Sequence, residues 1–151
     1  MWYNLYLIGL GLLMINIRLI LSIIVIFSIT PSIAVASDLT VEVLGVRSNE
    51  GLVHFGLYNK SSTFLKTEGS LSGGREVIIN NRSVFVFKGL SSGYYALAIY
   101  HDENSNGEFD QILFGLPVED YGFSNDAKAF FGPPDFKDAA VHLPIKGLKI
   151  T

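Results

Sequence analysis

Residues 1–36 carry a single charged side chain, Arg18, and the first acidic residue is Asp38. A stretch that apolar cannot be the surface of a soluble domain. It divides the chain into a leader and a body. Leu19 to Ile29 is apolar except for Ser22 and Ser28. Arg18 stands before it, Pro31 after it, and Ala34-Val35-Ala36 supplies small residues in A-x-A order. Positive end, apolar stretch and cleavage box together make a secretory signal, cut between Ala36 and Ser37. Met14 to Arg18 makes a normal signal start, so translation is expected to begin at Met14. The opposing reading is an uncleaved anchor, because the combined apolar run exceeds the roughly 20 residues needed to span a bilayer. Either way the body, 37–151, is expected outside the cytoplasm, in the periplasm or beyond.

The body holds all 14 acidic residues and 10 of the 11 basic ones, so it is mildly acidic. No Lys/Arg cluster exists to displace counterions, which argues against nucleic-acid binding. Membrane contact is expected only through a retained leader. With no cysteine, a disulfide scaffold, a thiolate zinc site and a cysteine nucleophile are all excluded. A body of this size buries roughly two-thirds of its surface, enough for one core.

Apolar residues alternate rather than recur at helical spacing. Leu39, Val41 and Val43 alternate with Thr40 and Glu42; Val53, Phe55 and Leu57 alternate with His54 and Gly56. Further β-rich runs are Val77–Ile79, Val84–Phe87, Tyr94–Tyr100, Ile112–Phe114 and Val141–Ile145. Turn residues cluster at Ser48–Gly51, Asn80–Arg82 and Ser91–Gly93. The expected fold is all-β: a single antiparallel β-sandwich of about seven strands. The stretch Phe87-Lys88-Gly89-Leu90-Ser91-Ser92-Gly93-Tyr94-Tyr95 resembles a hairpin of transthyretin-like (prealbumin-like) sandwiches, such as carboxypeptidase regulatory domains. That likeness covers one hairpin only.

The strongest chemical signal follows that strand. Asp102-Glu103-Asn104-Ser105-Asn106-Gly107-Glu108-Phe109-Asp110 reads D-x-N-x-N-G-x-x-D. In a calcium loop the oxygens of positions 1, 3 and 5 converge as the chain curls, and glycine at position 6 permits the bend. Position 7 offers a backbone carbonyl and position 9 another oxygen. The expected ligands are therefore Asp102, Asn104 and Asn106, the Glu108 carbonyl, and Asp110. Position 12 is Leu113 instead of a bidentate glutamate, so binding should be weak. Glu103 is expected to face solvent. The opposing reading is a polar turn between two strands.

Gly115 to Ala140 is long, irregular and rich in Phe, Tyr, Gly and Pro. Long loops in compact domains are usually functional or disordered, and the aromatics argue against disorder. Tyr121, Phe123 and Phe131 are expected to be buried under it. A pocket beneath it would draw on His101, Tyr121 and Asn125. The calcium-like loop, then F-G-L-P-x-E-x-Y-G-F-S-N-x-A from Phe114, then F-G-P-P-x-F-x-D-A-A from Phe131, resembles domain-of-unknown-function family 2141. The resemblance runs from about Leu39 to Leu143. It implies a small exported bacterial protein with a compact β domain, and brings no catalytic residue.

Signs of catalysis are weak. Gly89-Leu90-Ser91-Ser92-Gly93 fits G-x-S-x-G, but a nucleophile elbow needs a helix after it and a strand follows here. His54 and His142 lie opposite apolar faces and are expected to be exposed. His101 ends a strand and is expected to bond a neighbouring loop. Glu103, Glu108 and Glu119 read as solvated loop charge. The expectation is thus a binding or structural module with an unidentified ligand or envelope partner. The alternative is a ligand carrier or enzyme using the pocket under 115–140.

Overall fold

The computed structural model describes residues 35–66, 68–130 and 132–151. The leader before residue 35, the start at Met14 and the burial of Phe131 lie outside these residues. The described chain is mostly β, with ten strands, three single-turn 3₁₀ helices and one short α-helix among the described residues. The strands are β1 (Ser37–Leu44), β2 (Leu52–Tyr58), β3 (Ser72–Glu76), β4 (Arg82–Leu90), β5 (Gly93–Asp102), β6 (Gln111–Ile112), β7 (Leu116–Pro117), β8 (Tyr121–Phe123), β9 (Val141–Leu143) and β10 (Leu148–Ile150). The helix α1 is Phe136–Ala139. None of the described helices is long and apolar enough to cross a membrane.

Three sheets result. The first has the order β10-β1-β4, the second β3-β2-β5-β8 with β9 also on β5, and the third is the small β6–β7 pair. Alternation decides which face of each strand is buried. Leu39 and Val41 of β1 and Phe87 of β4 form one cluster with Val53, Phe55 and Leu57 of β2 and Tyr95 and Leu97 of β5. Phe55 and Phe85 stack with ring centroids 5.3 Å apart. Burying one such leucine or phenylalanine contributes roughly 1.5–3 kcal/mol, so this cluster is what holds the two larger sheets together.

Three expectations change. The strand pairs are not all antiparallel, because β1 runs parallel to β10, with Leu39 opposite Leu148 and Val41 opposite Ile150. The segment resembling a transthyretin-like hairpin is not a hairpin. Strand β4 pairs with β1 while β5 pairs with β2, so Ser91-Ser92 carries the chain from one sheet to the other. Ser92 Oγ donates to the Leu143 carbonyl and Tyr95 Oη to that of Ser91, which fixes the crossing. Val77–Ile79, expected as a strand, is a second crossing. The strand before it ends at Glu76, Ile78 is buried, and Asn80 and Asn81 turn the chain with φ of 55° and 57°. Asparagine tolerates that region better than most residues.

Candidate metal centre

Strand β5 delivers the site. Its last residue, Asp102, pairs with Leu52 of β2, and the loop to Asp110 leaves from there. Asp102 is 1% exposed. Its Oδ1 accepts the N–H of Asn106 at 3.0 Å and its Oδ2 that of Gly107 at 2.8 Å. Oδ2 also lies 3.1 Å from His54 Nε2. Three of about four acceptor positions on the carboxylate are thus used. The loop curls around Asp102 because these bonds draw it inward. Gly107 has φ of 80°, a conformation glycine reaches without cost.

The other expected ligands converge. Asn104 Nδ2 donates to Asp110 Oδ2 at 2.7 Å, and Asn106 Nδ2 lies 3.1 and 3.0 Å from the two Asp110 oxygens. Asn104 Oδ1 accepts the N–H of Asn106 and Asn106 Oδ1 that of Glu108. An amide oxygen has two lone pairs, so each keeps one free. The amide N–H groups of Asn104 and Asn106 thus meet the Asp110 carboxylate. The Glu108 side chain is exposed. No three His, Asp or Glu side chains among the described residues form a preassembled metal cluster. A cation here would therefore draw on the asparagine amides and the backbone as well as on Asp102 and Asp110.

Around the loop, three expectations are corrected. His54 is not simply exposed. Its Nε2 donates to the Asp102 carboxylate, and its Nδ1 lies 3.1 Å from Tyr100 Oη. The two rings stack with centroids 4.6 Å apart, because His54 and Tyr100 are cross-strand partners. Tyr100 Oη also lies 3.3 Å from the Gly107 carbonyl. Burial, then the charges of Asp102, Glu119 and Glu108, push the Tyr100 phenol above its usual value. Glu103 does not face solvent alone: Ser48 Oγ donates to it at 2.8 Å and Arg47 lies 3.5 Å away. Glu119 is not solvated loop charge. It is 7% exposed, and its Oε2 accepts the Asp110 N–H at 3.1 Å. Glu50, Glu103, Asn104, Asp110, Val118 and Glu119 line a cleft of about 340 Å³ beside the loop.

His101, Tyr121 and Asn125 are not brought together. His101 is buried, with Nε2 2.7 Å from the Glu50 carbonyl. Tyr121 pairs with Tyr100, so it stands on the opposite face of the sheet from His101. There it is 44% exposed and meets the rings of Phe109 and Phe123 edge-on. The burial expected of Tyr121 fails because its strand is short and sits on the outer face. Asn125 donates to the Asp138 carbonyl. Within the long loop, Ser124 is buried. Its Oγ donates to the Ala139 carbonyl at 2.5 Å and accepts the Leu97 N–H at 2.8 Å.

The family model for uncharacterized proteins conserved in bacteria, DUF2141, matches residues 41–151. The chain belongs to this family. The match takes in the loop, the cleft and every strand from β2 onward. No curated protein and no solved structure matches the chain. The DUF2141 assignment agrees with the resemblance seen in the loop and the F-G-L-P and F-G-P-P motifs.

Proposed function

We propose that this DUF2141 chain is an exported β-sandwich module, domain 37–151 behind a signal peptide, whose Asp102–Asp110 loop binds calcium weakly. One observation carries the metal reading: the side chains of Asn104, Asn106 and Asp110 meet one another, and the Asp102 carboxylate accepts the backbone N–H groups of Asn106 and Gly107 in the same turn. Calcium suits the donors because it takes six to eight oxygens, including amide and backbone carbonyls, in flexible geometry. The sandwich reading rests on the joint core of the two larger sheets. The export reading rests on the apolar leader and the A-x-A box. A binding role, in place of an enzymatic one, draws support from the hairpin β6–β7. It exposes Ile112, Leu113, Phe114, Leu116 and Val118 together, and contiguous exposed apolar surface marks interaction sites.

With two direct carboxylates the dissociation constant falls near the range of extracellular modules, roughly 10⁻⁴ to 10⁻³ M. The test is calcium titration of the purified protein, followed by calorimetry. Saturable binding in that range supports the reading, and heats no larger than dilution contradict it.

A further inference from the structure

Position 12 of the loop is the place where a calcium loop ordinarily provides its bidentate glutamate. Here it is Leu113, which sits exposed at the turn of the β6–β7 hairpin. The hairpin folds the chain straight back. Gln111 pairs with Pro117 and Ile112 with Leu116. The Val118 N–H then donates to the Asp110 carbonyl at 3.0 Å, and the Asp110 N–H donates to Glu119 Oε2 at 3.1 Å. A glutamate nine residues after Asp110 is therefore returned to its side.

The other oxygen of Glu119 is the telling one. Oε1 is buried and has no hydrogen-bond partner among the described residues, in a residue only 7% exposed. Both residues line the same cleft, with Glu50, Glu103 and Asn104. The nearby cation, Arg47, is engaged elsewhere, with Glu103 at 3.5 Å and Asp120 at 3.4 Å. Asp110 has the amides of Asn104 and Asn106. Among the cleft's carboxylates, Glu119 thus keeps a buried oxygen without compensation. Burying a carboxylate in that way is costly unless an opposite charge or a donor reaches it. We propose that Glu119 is a ligand of the cation held by the Asp102–Asp110 loop and supplies the carboxylate that Leu113 leaves out. This rests on the calcium reading above and adds to it a residue outside the loop motif.

A ligand of this kind has a double signature. Without the ion, a buried unpaired charge destabilises the fold; with it, the same charge holds the ion. Glu119→Gln keeps the shape and an acceptor for the Asp110 N–H but removes the charge. The experiment measures calcium affinity by calorimetry, and melting in chelator, for the full chain and for Glu119→Gln and Leu113→Glu. The expected result is calcium binding by the wild type, weakened at least about tenfold in Glu119→Gln, since affinity follows the ligand charge count. In chelator Glu119→Gln should melt higher than wild type. A purely structural glutamate would give a lower melt. Unchanged affinity in Glu119→Gln, or weaker affinity with a lower melt in chelator, overturns this assignment and leaves the loop reading standing. If the wild type binds no calcium, both fall. Leu113→Glu should leave the affinity unchanged, because position 113 faces solvent at a turn; tenfold tighter binding there would overturn the assignment even if Glu119→Gln failed to fold.

Discussion

His54 Nε2 lies 3.1 Å from Asp102 Oδ2, so a strand β2 side chain holds the residue from which the candidate loop departs. Asp102 is nearly inaccessible and its remaining partners are two backbone N–H groups of its own loop. His54→Ala removes the one side-chain donor that Asp102 has among the described residues. Leaving a buried acceptor short of a partner costs about 1–3 kcal/mol. Urea unfolding of the variant should show a loss in that range. A change below about 0.5 kcal/mol, ordinary for a surface substitution, would mean the contact is incidental.

Two glycines should respond differently to alanine. Gly107 has positive φ, but a Cβ there would meet nothing within 4 Å. Gly51 also has positive φ, and a Cβ there would stand 2.0 Å from the Asp102 carbonyl oxygen. Gly107→Ala should cost only the left-handed conformation, about 1–2 kcal/mol. Gly51→Ala must in addition displace backbone at the loop's origin, so it should be the more damaging of the two. Equal melting temperatures for the two variants would contradict this.

Glu42 sits between two cations on the first sheet. Lys149 of β10 lies 2.7 Å away, and Arg82 of β4 bonds the other oxygen. These bonds, Lys149 first and then Arg82, hold the Glu42 carboxyl down to about 2 from its ordinary 4.5. A carboxyl lowered by folding contributes stability that is fully present above its unfolded value and is lost as pH falls through the folded one. The melting difference between wild type and Glu42→Gln should therefore be constant near neutrality and shrink between pH 4.5 and about 2. A difference that does not change with pH would show that the bonds do not depend on the charge.

Phe114 is 93% exposed and adopts φ of 67°. A bulky residue in that region is strained, and it gains no packing in return. Asparagine reaches the same conformation more easily. Phe114→Asn should match or exceed the wild-type melting temperature, by up to about 1 kcal/mol of relieved strain. A clear loss of stability would show that the phenylalanine packs against the domain.

Period-two alternation was enough to read β1, β2 and β5 and the core side of each. Leu39, Val53 and Leu97 are buried where the pattern puts them. Sheet membership was not legible in the same way. Tight turns at Ser91-Ser92 and Asn80-Asn81 look like hairpin turns, and only the pairing of each strand with a distant partner shows that they cross between sheets. The loop from Asp102 to Asp110 was legible as a polar turn because its hydrogen-bonding residues are local and regularly spaced. Glu119 and His54 were not. One reaches the loop through a hairpin, the other through a neighbouring strand, and neither route leaves a spacing signal. The burial expected of Tyr121 failed because an aromatic residue in a long loop does not reveal which face of a sheet it will cover.

The central claim is that the Asp102–Asp110 loop is a calcium site. It is tested most directly by the melting temperature of the purified protein in calcium against chelator. With a dissociation constant of about 0.1 mM, about 1 mM calcium stabilises the native state by about 1.4 kcal/mol, a rise of several degrees for a domain of this size. Magnesium should do little, since it demands a tighter octahedron and gives up its waters reluctantly. The account predicts a calcium-dependent rise that chelator reverses. A melt unchanged by calcium up to about 10 mM, well above the weak end of the range for extracellular modules, would contradict it and leave the loop a polar turn.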